Sequence, residues 1–121
     1  NFGARATVPP GFEGRLFHVH NAQVTLMRTT PTENAAIGGW IARRLNMAPG
    51  PVRLLLPLRG VSALDAPGQP FHDPDADSAL FDAIRAAFRT TADHQLIEVD
   101  AHVNDPAFAA AVVDHFRQIT A

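Results

Sequence analysis

Apolar residues recur at helical spacing in three segments of the chain, and each segment begins with a proline that follows a threonine or an aspartate. A polar N-cap followed by proline at the first helical position is a typical helix start. The starts are Thr30-Pro31, Asp73-Pro74 and Asp105-Pro106, and Glu33 completes a capping box in the first of them. The pattern predicts three helices. Their expected buried stripes are Ile37, Trp40, Ile41 and Leu45; Leu80, Phe81, Ile84, Ala87 and Phe88; and Phe108, Val112, Phe116 and Ile119.

Two adjacent glycines, Gly38 and Gly39, interrupt the first helical pattern. A glycine inside a helix costs about 1 kcal/mol relative to alanine. Close packing against a neighbouring element is the usual compensation, so we expect this helix to approach another part of the chain closely.

Short apolar runs lie before the helices. The run from Val52 to Leu56 is almost continuously apolar, which is typical of a strand buried on both faces of a parallel sheet. A shorter run extends from Leu96 to Val99. The segment from Leu16 to Met27 fits either a hairpin turning near Asn21-Ala22 or one strand followed by an extended approach to the first helix.

Alternation of strands and helices predicts an α/β fold with right-handed crossovers. We expect a three-layer, Rossmann-like parallel sheet in which strands and helices alternate, spanning residues 15–121. Residues 1–14, rich in proline and glycine, are expected to form an N-terminal arm or linker. Three strands make a small sheet and the chain lacks an initial methionine, so we expect one half of a two-subdomain protein.

Composition narrows the possible chemistry. The chain has no cysteine and all ten of its basic residues are arginine, which excludes thiol catalysis and any P-loop or Schiff-base lysine within it. A net charge of −2 gives no reason to expect nucleic acid as a partner. No apolar run approaches the ~20 residues that a membrane span needs. We therefore expect a cytoplasmic protein that binds neither nucleic acid nor membrane.

Ligands of open parallel sheets bind outside the carboxyl ends of the strands. Three connections are expected at that edge, and each leads into a helix N-terminus, where backbone N–H groups and the helix dipole favour an anion. Arg59 would add positive charge there. The alternative is generic, since any α/β fold places polar caps at this edge. The candidate ligand-binding residues are Arg28, Thr29, Thr30, Gly60, Ser62, Asp65, Gly68, His72, His102, Asn104 and Asp105.

The connection from Leu58 to Asp73 has neither helical nor strand periodicity, and loops of this length are uncommon unless they are functional or disordered. Its apolar residues argue against a solvated linker, so we predict a binding loop. Individual residues leave alternatives open. Asp65 fits either a turn or a Mg²⁺ ligand, Ser62 fits a loop hydroxyl better than a nucleophile, and His18 with His20 fits a polar strand face better than a metal site.

The segments HNAQVTLMRTTPTEN, GVSALDAPGQPFHDPDADSALF and HVNDPAFA also carry a family resemblance. They resemble, in the same order, the second half of the ATP-binding domain family of the tomato mosaic virus resistance protein and its uncharacterised bacterial relatives. The resemblance implies two Rossmann-like halves, ATP binding with Mg²⁺, a preceding half of the same protein as a partner, and a homodimer.

We therefore predict the C-terminal subdomain of a protein that binds an ATP-like nucleotide or another small anionic phosphate ligand. Two alternatives remain open. One is an enzyme, such as a metal-assisted hydrolase or transferase acting on a small anionic substrate, and the other is a half whose role is mainly structural or dimer-forming.

Overall fold

The computed structural model describes residues 1–121, the whole sequence. Its three helices begin at the three prolines that the sequence predicted, and the α/β class is confirmed. A short 3-10 helix covers Arg5–Thr7. The elements are β1 (Phe17–Asn21), β2 (Val24–Met27), α1 (Pro31–Leu45), β3 (Val52–Pro57), α2 (Pro74–Ala87), β4 (His94–Val99) and α3 (Pro106–Thr120).

The strands form two separate pairs. β3 and β4 are parallel and in register from Val52 opposite His94 to Pro57 opposite Val99. β1 and β2 form an antiparallel hairpin, which is one of the two arrangements that the sequence left open. The side chain of Asn21 accepts a hydrogen bond from the Gln23 amide at 2.8 Å, which stabilises the tight reversal.

The parallel sheet therefore has two strands, and the prediction of a third parallel strand from the alternation is wrong. The cause is local, because the tight turn returns β2 directly beside β1. The first residues of the chain extend this hairpin, since Phe2 and Thr25 exchange backbone hydrogen bonds of 2.8 and 3.0 Å.

The hydrophobic core lies between the parallel strands and the pair of helices α1 and α2. Its fully buried members are Ala42, Leu56, Phe81, Ile84 and Phe88. Half-buried side chains of β3 and β4 pack around them, while α3 contacts β3 without contributing to this cluster. Burial of these aromatic and aliphatic side chains, each worth about 1.5–3 kcal/mol, fixes α2 over the strands and so positions its N-terminus at their carboxyl edge.

α1 packs on α2 through its smallest residues. A Cβ added at Gly38 would lie 2.5 Å from the Leu80 carbonyl oxygen, so the two helix backbones approach closely there, as the sequence predicted. Asn34 donates a hydrogen bond to the Ala76 carbonyl at 2.8 Å across the same contact. Because the face of α1 that contains Gly38 and Asn34 packs inward, part of the predicted buried stripe lies outside. Ile37 is exposed and Trp40 is 56% exposed, so the prediction was wrong for these two residues.

The predicted stripe of α3 is also partly wrong. Phe108 is buried, whereas Val112 is exposed and Phe116 is 61% exposed. α3 makes its main contacts with β3, and its covered side runs along the helix through the half-buried Ala111, His115 and Ile119, so Ile119 is the other member of the predicted stripe that is partly covered.

The glycine pair of α1 offers a matched test of the helix contact. Gly38→Ala is expected to lower the free energy of unfolding by about 2 kcal/mol, because overpacking against a backbone carbonyl outweighs the gain in helix propensity. Gly39→Ala should raise it by up to about 1 kcal/mol, since an added Cβ there meets only the mobile end of Arg43. Urea denaturation of the two variants measures both values, and equal effects would contradict this packing.

Candidate functional site

A cavity of about 580 Å³ lies at the carboxyl ends of β3 and β4. It is bounded by the connection from Leu58 to Asp73, by the first turns of α2 and by the β4–α3 connection, which ends at Asp105, the N-cap of α3. The residues that line it are Leu58, Arg59, Ala66, Pro67, His72, Pro74, Asp77, Ser78, Phe81, His102 and Asp105. The predicted position of a ligand site at this edge therefore coincides with a concave surface.

Asp65 organises the long connection. Its side chain is 1% exposed and accepts hydrogen bonds from the Val61 amide at 2.9 Å and from the Asp73 amide at 3.4 Å. These bonds join the beginning of the connection to its end. The loop is consequently a closed, ordered wall of the cavity.

Gly60 allows the close approach of this loop to the β4–α3 connection. It adopts a φ of +133°, and its Cα lies against His102 and the Asp65 carbonyl so closely that a Cβ would collide with both. Only glycine fits both the conformation and the space.

A buried ionic cluster lies behind the wall of the cavity. Arg28 Nη2 lies 2.8 Å from Asp77 Oδ1 and 3.3 Å from Asp65 Oδ1, and the side chains of all three residues are at most 10% exposed. The same nitrogen donates to the Asp73 carbonyl at 3.4 Å. The cluster thus joins the β2–α1 connection, the long loop and the first turns of α2.

The two carboxyl groups of this cluster have different proton affinities. Burial, followed by the adjacent carboxyl of Asp65, raises the pKa of Asp77 to about 6. Burial would also raise the pKa of Asp65, but hydrogen bonds from Asp77 and the Val61 amide, together with the charge of Arg28, hold it below its ordinary value. One proton shared by the pair therefore resides on Asp77.

His102 fixes the β4–α3 connection by using both ring nitrogens. Nε2 lies 2.8 Å from the Ser62 carbonyl and 3.2 Å from the Asp65 carbonyl, and Nδ1 accepts a hydrogen bond from the Asn104 amide at 3.2 Å. These partners assign the neutral tautomer that carries its proton on Nε2. The ring therefore ties the two connections together, and its edge forms part of the cavity lining.

Asp105 differs from the predicted capping role. α3 does begin after it, but its carboxylate makes no hydrogen bond to the first turn. Oδ2 instead accepts a hydrogen bond from the His102 amide at 2.8 Å. The carboxylate thus holds the preceding turn together while facing the cavity.

The other candidate residues are distributed unevenly. Among the predicted residues, the cavity lining includes His72, His102 and Asp105, with Arg28 and Asp65 directly behind it. The hydroxyl of Thr30 forms the predicted capping box with Glu33. The candidates that do not line the cavity are Thr29, Thr30, Gly60, Ser62, Gly68 and Asn104.

Two polar lining residues, Asp77 and Ser78, were not among the sequence candidates. Asp77 lies in the first turn of α2, where an acidic residue is ordinarily explained by its favourable interaction with the positive end of the helix dipole. The sequence signal that identifies both residues is their distance from the N-cap. Residues four and five positions after Asp73 still lie in the first turns of α2, which face the carboxyl edge of the strands. Arg59, expected at this edge, lines the cavity and forms a two-pronged ion pair with Asp100 at 2.7 and 2.8 Å.

No group of three or more histidine, cysteine, aspartate or glutamate side chains is arranged so that it could hold a metal ion. His18 instead packs edge-on against Phe71, with ring centroids 6.2 Å apart. A Mg²⁺ ion carried by a nucleotide needs only one or two protein carboxylates. Asp77 and Asp105 are the two carboxylates of the cavity, and Asp77 already pairs with Arg28.

The fold and the cavity define a small α/β domain with a concave site at the edge of its parallel strands. Residues 1–120 match the Uncharacterised protein family (UPF0261) C-terminal domain. The chain belongs to this family, as its three motif segments had indicated.

Bacterial and plant relatives share this domain. The chain is 50% identical over 119 residues to a UPF0261 protein of Rhizobium meliloti (strain 1021), covering 98% of the chain and 30% of that protein. It is 45% identical over 120 residues to the ToMV resistance protein Tm-1(GCR237) of Solanum lycopersicum, covering 99% of the chain and 16% of that protein. The chain thus spans less than a third of the length of these relatives. None of its helices has the length and apolar character needed to cross a membrane.

Proposed function

We propose that this domain binds a small anionic ligand of the phosphate or nucleotide class in the cavity at the carboxyl edge of β3 and β4. One observation carries the proposal: the first turns of α2 and Asp105, the N-cap residue of α3, line the same cavity of about 580 Å³. Helix N-termini favour anions through their free N–H groups and dipole. The volume also falls within the roughly 300–1,000 Å³ that is usual for small-molecule sites.

Side chains of the lining supply further donors for such a ligand. Arg59 uses Nε and Nη2 for Asp100, while Nη1 makes no hydrogen bond within the chain. His72 and Ser78 are exposed residues of the lining. A guanidinium, an imidazole and a hydroxyl around two helix N-termini suit a phosphate group better than an apolar ligand.

The family resemblance extends this proposal to ATP with Mg²⁺. Because the matched relatives are more than three times longer than this chain, we propose that the remainder of the full-length protein forms the opposite wall of the nucleotide site. The open cavity of this domain would then hold the phosphates. Homodimerisation of the full-length protein is part of the same proposal.

Isothermal titration calorimetry on the full-length protein tests the proposal, with ATP, ADP and inorganic phosphate as probes, each with and without Mg²⁺. Arg59→Met is expected to weaken binding of the best probe by about 10- to 100-fold, the usual effect of losing a hydrogen bond to a charged group. The matched control is Arg89→Met, because Arg89 follows the carboxyl end of α2, away from the cavity. Equal affinities of the two variants, or no binding of any probe, would contradict the proposal.

A further inference from the structure

The ionic cluster behind the cavity contains two carboxyl groups and one guanidinium. With both carboxyls ionised, Asp65, Asp77 and Arg28 carry a net charge of −1 in a nearly dry environment. Asp77 belongs to the cavity lining, so this charge faces the space in which an anion would bind.

The hydrogen bonds of the cluster show which carboxyl is the better anion. Asp65 accepts from the amides of Val61 and Asp73 and pairs with Arg28. Asp77 has one charged donor, Arg28 Nη2 at 2.8 Å, beside the carboxyl of Asp65. Because donors stabilise an ionised carboxylate, a proton added to the pair resides on Asp77.

The surroundings of Asp77 contain other charged and titratable groups. The long loop contributes Asp65 and His72, the β2–α1 connection contributes Arg28, and the N-cap of α2 is Asp73, whose carboxylate accepts from the Ala76 amide at 3.0 Å. The segment after β3 contributes Arg59, and the β4–α3 connection contributes His102 and Asp105. The ring nitrogens of His102 are both engaged by loop groups, which leaves His72 as the histidine of the lining without a partner inside the chain.

We propose that the cavity takes up one proton together with its anionic ligand, and that Asp77 is the residue that receives it. This inference rests on the proposed function and adds a residue that determines the charge state of the site. An anion beside ionised Asp77 meets a like charge, whereas protonated Asp77 presents a neutral donor. The pKa of Asp77 is raised to about 6 in the free protein, so above that pH the site binds its proton mainly when the anion enters.

The affinity for an anion should therefore fall as pH rises above about 6, by at most about tenfold per pH unit for one linked proton. Calorimetry on the full-length protein near pH 7.5, in buffers with different enthalpies of ionisation, measures the number of protons bound with the probe ATP. The wild-type protein is expected to take up close to one proton more than the Asp77→Asn variant. The difference between the two proteins cancels the protonation of the nucleotide itself.

His72→Gln is the matched variant, since His72 is the histidine of the lining without a partner inside the chain. It should retain the uptake that Asp77→Asn loses. Loss of the uptake in His72→Gln with retention in Asp77→Asn would overturn the proposal, as would ATP binding without an uptake difference between wild type and Asp77→Asn. Absence of binding by ATP, ADP and phosphate at every pH would instead overturn the proposed function, and this inference with it.

The ligand-free protein provides a second measurement. Folded Asp77 holds a proton that the unfolded chain releases near the ordinary pKa of 3.8. The folded state therefore binds more protons between about pH 4 and 6, and stability falls as pH rises through this window. Asp77→Asn should remove that fall from the denaturation midpoints, and an unchanged pH profile in this variant would overturn the assignment of the proton to Asp77.

Discussion

Replacing Gly60 with alanine is expected to lower the free energy of unfolding by about 4 kcal/mol or more, a loss that only a few mechanisms produce. The new Cβ would collide with the Asp65 carbonyl oxygen and would lie 2.6 Å from His102 Cδ2. The φ of +133° adds strain that alanine cannot relieve. Because typical domains are stable by about 5–15 kcal/mol, the variant should show a large fall in melting temperature by circular dichroism.

Gly68→Ala is the control for this variant. Gly68 lies in the same loop with a φ of +81°, but no atom is within 4 Å of the position of its Cβ. The cost there is the backbone strain alone, about 1–2 kcal/mol. Similar melting temperatures for the two variants would show that the contact between the loop and His102 is not tight.

Replacing Arg28 with methionine is expected to destabilise the protein by about 3–5 kcal/mol, because removal of one partner leaves buried charge uncompensated. Asp65 and Asp77 would then face each other with no cation. Urea denaturation at neutral pH measures the loss. The loss of stability should be smaller below about pH 6, where the carboxyl pair of Asp65 and Asp77 takes up a proton. Adding Asp77→Asn to the Arg28→Met variant should recover part of the lost stability.

Arg59→Met is the control for this charge effect. Arg59 also pairs with an aspartate, but both members of this ion pair, Arg59 and Asp100, are well exposed to solvent. Exposed pairs contribute little to stability. The two substitutions should therefore have different effects. Arg28→Met should reduce stability, whereas Arg59→Met should reduce ligand affinity in a protein of nearly normal stability. Equal losses of stability would contradict the burial of the Arg28 cluster.

Local signals in the sequence were sufficient for much of the fold. Each helix begins at its proline because the cap, the fixed φ of proline and the following periodicity all act within one or two turns. The apolar run of β3 was equally clear. These features need no knowledge of distant residues.

The wrong predictions concern which face of a helix is buried, because this depends on residues that are distant in the sequence. The large apolar residues of α1 suggested the buried face, but packing on α2 selected the small face containing Gly38, since only that face allows close approach of the helix backbones. In α3 the large apolar residues Val112 and Phe116 are exposed, while the covered side of the helix continues from Phe108 through the small or polar residues Ala111 and His115. Periodicity indicates that a face is apolar and gives no information on what lies against it.

The topological rule for parallel strands indicated the edge at which the cavity lies, and Asp65 and His102 were named as candidate residues there. The polar residues that line or adjoin the cavity were only partly predicted. Asp77 was missed because a carboxylate near a helix N-terminus has an ordinary explanation in the helix dipole. Its ion pair with Arg28, 49 positions away in the sequence, appears only when the β2–α1 connection lies beside α2.

The closed loop between Leu58 and Asp73 has a consequence for the thermodynamics of binding. Asp65 and His102 already hold the loop in one conformation, so the entropy of ordering it is lost during folding and not when a ligand arrives. A loop that is already ordered loses less conformational entropy on binding, so more of the free energy of each contact with the ligand appears as affinity. Disturbing Asp65 or His102 would move that entropic cost from folding to recognition.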